Sequence, residues 1–394
     1  MSVRRGIGVQ EALDLAHGLA PELPAEPVPV PEAAGRVLAE DVRAGRDLPA
    51  HAGSAMDGWA VRAAETPGPL TITGESAAGL PAGVALAPGC AVAVSTGASL
   101  PEGADAVARR EIARVDGTTV VVTEAVAPGR DVRRRGETIR EGELLLGRGH
   151  RVAPHEVAAL GAMGRAEVLC ARRPRVAILA TGAELVALGA PAGPDEVHDS
   201  NRDGLAAQAV AAGALVLALV TVGDDLEDTV AALAALLDAP GDGRPDVVVT
   251  AGGISAGDHD LVRPALERLG VEEIARGVRA RPVHPTYLGR RGDQVVLGLP
   301  GNPASAAVAF HLLGRPLLGA RNDWWHRAPL TAPAGTRPGR AELLRCVEGP
   351  EGLTPRPDQG PHAVTSLSGA TALAWVGEDE DGSAGSLVRF SRLA

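Results

Sequence analysis

Apolar positions follow two different patterns in the first part of the chain. They recur at helical spacing over residues 9–20, which predicts an amphipathic helix. From about 41 to 146 they come in short runs broken by Gly and Pro, which predicts short β-strands. A second helix is predicted at 154–164, between a proline and a glycine. The sequence therefore predicts an N-terminal mixed region, 1–172, with an inserted β-rich subdomain at about 48–140.

The pattern changes at Arg175, where continuous apolar runs begin to alternate with amphipathic segments. Strands are predicted at 176–179, 215–220, 247–249 and 295–297, and helices at 199–212, 226–237, 261–269 and 303–313. This alternation predicts an α/β domain at 173–325 with a doubly wound parallel sheet, covered on both faces. Short apolar runs in 326–394 predict a small C-terminal β-domain, either a barrel or a sandwich.

Charge and composition exclude several classes of protein. The net charge of −11 argues against a general nucleic-acid or membrane-surface role. The chain has no lysine, so all 38 basic residues other than histidine are arginines, and a permanently cationic side chain must be a guanidinium. The three cysteines show no disulfide pattern, and the N-terminus shows no signal sequence. We expect a cytoplasmic protein without a membrane span.

Four turns that contain glycine follow the predicted strands. They are 181–184, 223–225, 252–260 and 298–303. In a doubly wound sheet, ligands bind beyond the carboxyl ends of the strands, where these turns lie. Gly252 and Gly253 would allow close backbone approach and turn N–H groups toward an anion, and Ser255 adds a hydroxyl donor. A single such turn serves only to reverse a strand into a helix, but four at one edge favour a phosphate-bearing ligand.

Acidic residues accompany these turns, with Glu184, Asp224, Asp225 and Asp260 among them. Carboxylates beside phosphate-binding turns predict a divalent cation that bridges to the phosphate, because bare carboxylates would repel it. In the last turn, Pro303 is predicted to start a helix with Asn302 as its cap, which suits an anion. A purely structural cap remains the alternative at this point.

Two segments of the N-terminal region add candidate chemistry. Asp57 lies in a turn of small residues beside Trp59, and Arg133 to Arg135 form a concentrated cationic cluster. The cluster is either a solvated surface run or, if it faces the α/β crevice of a neighbouring chain, a holder of the ligand's phosphate. The sequence shows no nucleophilic triad, and its ten histidines show no metal-binding spacing.

Taken together, these segments resemble the MoeA family of molybdenum cofactor biosynthesis, to which the gephyrin E domain is related. The matching segments are 32–47, 54–58, 95–98, 101–107, 134–137, 181–185, 252–255, 298–303 and 359–362. Their order over nearly the whole chain argues against chance similarity. The resemblance implies a transferase that inserts molybdate into adenylylated molybdopterin with magnesium-assisted release of AMP. It also implies a homodimer with its active site between protomers, and makes the molybdopterin adenylyltransferase a candidate partner.

The resemblance assigns roles to individual residues. A pterin nucleotide would be held by Gly252, Gly253, Ser255, Pro300, Gly301, Asn302 and Pro303. Metal binding and catalysis would fall to Glu184, Asp225 and Asp260. Asp57 and Thr96 would be contributed to the site by the partner chain. Anion contacts would come from Arg134, Arg135, Arg281, His284 and Arg345.

The chain departs from the family pattern at the expected molybdate site. The family often has Lys-Pro-Gly-Lys-Pro where this chain has Arg281 to Pro285, so His284 replaces a permanent charge. Pro361 stands where a serine is usual. These departures motivate an alternative, a divergent paralogue that binds molybdopterin or its nucleotide without efficient metal insertion. Phosphoryl or nucleotidyl transfer by a sibling fold is less well supported, because that sibling is essentially the α/β domain alone.

Overall fold

The structure is a computed structural model that describes residues 3–254, 260–320 and 323–393. It consists of two compact units, one formed by Ala25–Ala171 and the other by Met1–Pro24 with Arg172–Ala394. The predicted combination of an α/β domain with β-rich regions is confirmed. Residues 1–24 contribute a strand and a helix to the larger unit, although the sequence pattern groups them with the mixed region. Among the described residues, no helix has the length and apolar character needed to cross a bilayer.

A six-stranded sheet dominates the smaller unit. Its strands lie in the order Ala106–Arg109, Gly58–Val61, Cys90–Val94, Gly68–Ser76, Thr119–Val122 and Ala113–Asp116. Successive side chains of a strand point to opposite faces, and here neighbours such as Val107 and Ala108 belong to different apolar clusters. Apolar clusters therefore cover both faces of the sheet. Alanine and valine make up most of these clusters, in keeping with the low aromatic content of the chain.

Paired strands and one helix complete the smaller unit. The pairs are Ala25–Pro29 with Glu167–Ala171, Val42–Arg43 with Leu144–Leu146, and Gly53–Ser54 with Val132–Arg133, and the helix is Glu156–Ala162. Leu38, Leu160 and Val168 are fully or almost fully buried in their common core. The helix predicted at 154–164 is confirmed with shorter bounds.

The larger unit is built around a seven-stranded sheet. Its order is Arg4–Ile7, Glu272–Val278, Tyr287–Arg291, Gln294–Leu299, Val247–Ala251, Arg175–Thr181 and Leu215–Val222. The four strands predicted from the apolar runs are present and parallel to one another. Tyr287–Arg291 runs antiparallel to both of its neighbours. A two-residue turn with Gly292 at φ 62° joins it to Gln294–Leu299 as a hairpin. The sheet is thus mixed at one end.

Helices cover both faces of this sheet. They are Val9–Leu19, Ser200–Ala211, Leu226–Leu237, Val262–Arg268, Pro303–Ala309 and Arg315–Leu317, with a π-helical turn at Phe310–Gly314. Shorter 3₁₀ turns lie at Gly241–Gly243 and Val364–Leu367 in this unit, and at Val30–Glu32, Ala63–Glu65 and Arg110–Ile112 in the smaller one. Ile178 and Leu179 are fully buried in separate clusters on opposite faces, which explains why the strand is apolar throughout.

A second sheet forms the C-terminal part of the larger unit. Its strands are Ala280–Arg281, Ala341–Gly349, Ala372–Val376, Leu387–Arg392 and His326–Pro329, and Gly352–Pro355 pairs with the longest of them. The strand Ala280–Arg281 follows directly from the large sheet and runs parallel to Ala341–Gly349. This pairing places Arg281 beside Glu342 and fixes one wall of the cavity described below.

Candidate functional site

Backbone contacts bring the four predicted turns together at the carboxyl edge of the large sheet. The N–H of Gly182 donates to the carbonyl of Val222 at 3.1 Å, and the N–H of Gly252 donates to that of Leu299 at 3.1 Å. Thr181 lies against Gly252, and Gly252 lies against Gly301. The turns therefore form a continuous edge, as the topology requires of parallel strands.

Glycine is required at both positions of the Gly252–Gly253 turn. Their φ angles of 92° and 63° lie in the left-handed region. A Cβ on Gly252 would lie 2.8 Å from the Thr181 carbonyl oxygen, and one on Gly253 would lie 2.8 Å from Val262 Cγ2. The turn is thus tightly packed from behind. The predicted Ser255, with residues 256–259, lies outside the described residues.

The second glycine turn is held by a side chain that the sequence analysis did not single out. Asn201 Nδ2, at the start of the helix Ser200–Ala211, donates to the Gly301 carbonyl at 2.7 Å. The two residues are 100 positions apart, so no local pattern links them. The sequence offered one signal for this role of Asn201, which is a polar residue in the first turn of a helix that follows a predicted turn.

The helix Pro303–Ala309 begins as predicted, but the expected cap is wrong in one respect. Asn302 occupies the cap position and its side chain makes no cap hydrogen bond. Pro303 has no N–H, and the N–H of Ser305 already donates to the Pro361 carbonyl at 3.2 Å. Pro361 therefore supports this turn through its backbone, although it lacks the hydroxyl of the usual serine.

The candidate metal ligands are placed on three different turns. The carboxylate of Glu184 occupies the space where a Cβ on Gly182 would lie, at 2.6 to 2.8 Å. Asp225 caps the helix Leu226–Leu237, where its Oδ1 accepts the N–H of Asp228 at 3.0 Å. Asp260 follows the turn that begins at Gly252.

The donor chemistry of these acids fits Mg²⁺, a hard cation that prefers oxygen ligands. Among the described residues, no three His, Cys, Asp or Glu side chains converge as a preformed metal site. Mg²⁺ in proteins is usually held by one or two carboxylates together with water and substrate phosphates, and this arrangement needs no such cluster. Asp225 keeps its Oδ2 outside the cap hydrogen bond. Glu184 and Asp225 are therefore suitable ligands once a phosphate is present.

A cavity of about 330 Å³ lies beside the Gly301 turn and carries basic side chains. Its polar lining includes Arg281, His284, Arg340 and Glu342, while Pro300 and Asn302 of the turn also face it. His284 Nδ1 lies 3.1 Å from the Val278 carbonyl oxygen. Because a carbonyl can only accept, Nδ1 carries the hydrogen, and Nε2 can donate to an anion only when the ring is doubly protonated.

Among the described residues that line this cavity, Glu342 is the one acidic side chain. Arg281 Nη1 donates to its Oε1 at 3.4 Å, a long hydrogen bond between cross-strand neighbours. Burial raises the pKa of the Glu342 carboxyl, and the nearby Arg281, Arg337 and Arg340 partly oppose that shift. Neither Glu342 nor Arg340 was predicted from the sequence, because the pairing of Ala280–Arg281 with Ala341–Gly349, which brings this segment to the cavity, is not visible in the chain.

Arg345 lies on the same strand but is fully buried. Its Nε donates to Ser366 Oγ at 3.0 Å, and its Nη2 donates to the carbonyls of Asp358 and Gly360. Burial lowers the pKa of the guanidinium. Arg345 thus shapes the loop that carries Pro361, and its direct contact with an anion stays a prediction.

The candidate residues of the smaller unit form two separate groups. Asp57 accepts hydrogen bonds from the backbone and the hydroxyl of Thr96, which hold the pKa of Asp57 below its usual range. Arg135 pairs with Asp47, and the backbone N–H of Arg134 donates to Glu137 at 2.8 Å. All three predicted arginines, 133–135, are exposed. Acids thus neutralise part of this cationic cluster.

Two family models together match most of the chain. Residues 7–164 match the MoeA N-terminal region (domain I and II), and residues 177–320 match a probable molybdopterin binding domain. Among curated proteins, a molybdopterin molybdenumtransferase 2 of Mycobacterium tuberculosis is 36% identical over 341 residues, covering 80% of this chain and 82% of the relative. The molybdopterin molybdenumtransferase of Synechococcus elongatus is 33% identical over 374 residues, covering 90% and 91%.

A solved structure is similar to this chain along nearly its whole length. The molybdopterin biosynthesis MoeA protein from Pyrococcus horikoshii OT3 has a TM-score of 0.84 at 26% sequence identity, covering 98% of this chain and 100% of that chain. The likeness therefore extends over both units and the C-terminal sheet.

Proposed function

Because the chain belongs to the MoeA family of molybdopterin molybdenumtransferases, we propose that it inserts molybdenum into molybdopterin, with molybdate and adenylylated molybdopterin as substrates and AMP as a product. One observation carries the proposal. Pro300 and Asn302, which flank Gly301, also line the basic cavity. A pterin nucleotide on the glycine turns and an oxyanion among Arg281, His284 and Arg340 would thus be neighbours.

The proposed chemistry needs positioning and charge neutralisation more than covalent catalysis. The backbone of the Gly252–Gly253 turn and of the Gly301 turn would hold the nucleotide phosphates through N–H groups. Arg281 and His284 would hold molybdate beside the dithiolene sulfurs, so that two anions meet within one site. When bound at Glu184 and Asp225, Mg²⁺ would neutralise the pyrophosphate from which AMP leaves. We assign Asp260 to the same acidic group.

We further propose that the active protein is a homodimer. Asp57, Thr96, Arg134 and Arg135 belong to the smaller unit, and the residues of the glycine turns belong to the larger one. In this proposal, the smaller unit of one protomer contributes these residues to the site formed by the glycine turns of its partner. The hydrogen bonds from Thr96 lower the pKa of Asp57, so its carboxylate stays ionised to lower pH than an ordinary aspartate, which suits a group that faces a cation.

The test is turnover of the complete reaction. The protein is incubated with adenylylated molybdopterin, molybdate and Mg²⁺, and AMP and molybdenum-loaded cofactor are measured. We expect molybdate-dependent release of both. A protein that folds and binds the pterin nucleotide but releases no AMP and yields no loaded cofactor would contradict the proposal.

A second candidate function is binding without insertion, by a divergent paralogue. His284, Glu342 and Pro361 favour it, since none of these side chains carries a permanent positive charge or a hydroxyl into the cavity. Tight binding of adenylylated molybdopterin without molybdate-dependent turnover would select this alternative.

A further inference from the structure

A carboxylate stands inside the cavity that we assign to an oxyanion. Glu342 is only 7% exposed and lines the same space as Arg281, His284 and Arg340. Like charges at contact distance repel, and the repulsion is stronger in a partly buried site than in water. A tetrahedral dianion could not share this cavity with an ionised Glu342 without a large loss of affinity.

The charges around Glu342 explain why it is tolerated when the cavity holds no anion. Arg281 faces it from the neighbouring strand, and Arg337 and Arg340 face it from the residues before its own strand. On its other side, the strand Ala372–Val376 places the apolar Val376 opposite Glu342. The ionised carboxylate thus neutralises a cluster of guanidinium groups in a partly desolvated position. An incoming oxyanion would compete for these same cations.

We propose that Glu342 is an internal counter-ion of this cavity and accepts a proton when an oxyanion binds, so that oxyanion binding is coupled to proton uptake. The inference rests on the oxyanion site of the proposed function and adds a mode of regulation to it. Once Arg281 turns to the anion, Glu342 loses its partner while remaining buried, which favours its neutral form. A protonated carboxyl can also donate a hydrogen bond to an oxyanion oxygen.

Calorimetric titration of the full-length protein with molybdate alone tests the coupling. Repeating the titration at one pH in two buffers of different ionisation enthalpy gives the number of protons taken up per molybdate bound. The wild type is expected to take up protons, and its affinity is expected to fall as pH rises. Glu342→Gln keeps the shape of the side chain and removes its charge, so we expect about tenfold tighter binding at neutral pH and reduced proton uptake.

Two matched variants assign the proton. Glu348→Gln changes a half-buried acid of the same strand, which pairs with Arg392 outside the cavity lining, and should behave as the wild type. His284→Lys removes the imidazole from the cavity lining, and proton uptake should persist in this variant because Glu342 remains. This second variant tests the idea even where Glu342→Gln fails to fold.

The outcomes distinguish the proposed proton coupling from the proposed oxyanion site on which it rests. Failure of the folded wild type to bind molybdate would overturn the oxyanion site, and the coupling with it. Molybdate binding with unchanged proton uptake in Glu342→Gln, or complete loss of uptake in His284→Lys, would overturn the coupling alone. Weaker binding by Glu342→Gln with normal uptake would reduce Glu342 to a residue that positions Arg281.

Discussion

Asp57 Oδ1 accepts two hydrogen bonds from Thr96, one from the backbone N–H at 2.7 Å and one from the hydroxyl at 3.0 Å. These bonds link the turn before the strand Gly58–Val61 to the turn after Cys90–Val94, its antiparallel neighbour. Both bonds favour the ionised carboxylate, so the folded protein lowers the pKa of Asp57. The exposed carboxylate of Asp57 therefore stays ionised to lower pH than that of an ordinary aspartate.

Removing the Thr96 hydroxyl should raise the pKa of Asp57. Thr96→Val keeps the shape of the side chain and the backbone bond, so the pKa should move only part of the way toward the ordinary value of an aspartate. Thr96→Ser retains the hydroxyl and should leave the pKa unchanged. Carboxyl carbon NMR titration of Asp57 measures both variants, and equal pKa values in Thr96→Val and the wild type would contradict the assignment.

Asn201 should control the second glycine turn. Asn201→Ala removes the 2.7 Å hydrogen bond to the Gly301 carbonyl and leaves the net charge unchanged. We expect affinity for adenylylated molybdopterin to fall by about three- to tenfold, the value of one hydrogen bond. Pterin fluorescence on titration reports the binding. Gln208→Ala on the same helix is the control, and equal affinities in the two variants would contradict the expected role of Asn201.

Gly252 and Gly301 should differ sharply in their tolerance of a methyl group. In Gly252→Ala the new Cβ would meet the Thr181 carbonyl at 2.8 Å in a left-handed backbone. We expect the free energy of unfolding to fall by roughly 2–5 kcal/mol, from strain and overpacking together. Gly301→Ala places its Cβ 3.4 Å from Gly252 Cα, an ordinary contact, and should cost less than about 1 kcal/mol. Urea unfolding distinguishes the two.

A permanent charge at position 284 should strengthen molybdate binding. The Nδ1–H of His284 is committed to the Val278 carbonyl, so the neutral ring has no second N–H to donate to an oxyanion. His284→Lys supplies an ammonium group and is expected to bind molybdate about tenfold more tightly than the wild type at neutral pH. Calorimetry of both proteins in one buffer measures the two affinities. Equal affinities would remove His284 from the oxyanion site.

Substitution of Arg345 should lower stability, whereas substitution of Arg340 should weaken anion binding. Arg345→Leu leaves the carbonyls of Asp358 and Gly360 without their donor, so we expect the free energy of unfolding to fall by about 3 kcal/mol. Arg340 is exposed and lines the cavity, so Arg340→Ala should weaken molybdate binding with little change in stability. Urea unfolding and molybdate titration, measured on both variants, test this contrast. An Arg345→Leu protein of normal stability would contradict the first half.

The sequence predicted those strands and helices whose formation depends on the spacing of apolar residues within one segment. The parallel strands such as Val247–Ala251 and the helix Leu226–Leu237 follow from continuous or periodic apolar runs. The strand Tyr287–Arg291 was missed because a glycine and two arginines interrupt its apolar pattern. Its position in the sheet also depends on the hairpin that it forms with Gln294–Leu299. The pairing of Arg281 with Glu342 was missed for a related reason, since 61 residues separate them and no motif records the contact.

The candidate site likewise contains some residues that the sequence predicted and others that it did not. Gly252 was recognisable because a positive φ at the end of a strand favours glycine, whereas Gly301 was recognisable only as part of the motif at 299–303. The support from Asn201 and from the Pro361 carbonyl was not, because each contact joins residues far apart in the chain. Asn302 shows the limit of motif reasoning, since the position is a helix cap and the side chain does not act as one.

The position of the Glu184 carboxylate has a consequence for how this family can diverge. The atoms nearest to the space of the missing Cβ at Gly182 belong to the end of an exposed glutamate side chain, which can rotate away. A side chain acquired at 182 would therefore displace the carboxylate of Glu184 without removing the acid. The backbone of Gly182, with φ 156°, restricts substitution there more than the carboxylate does, so the glycine and the acid can change independently.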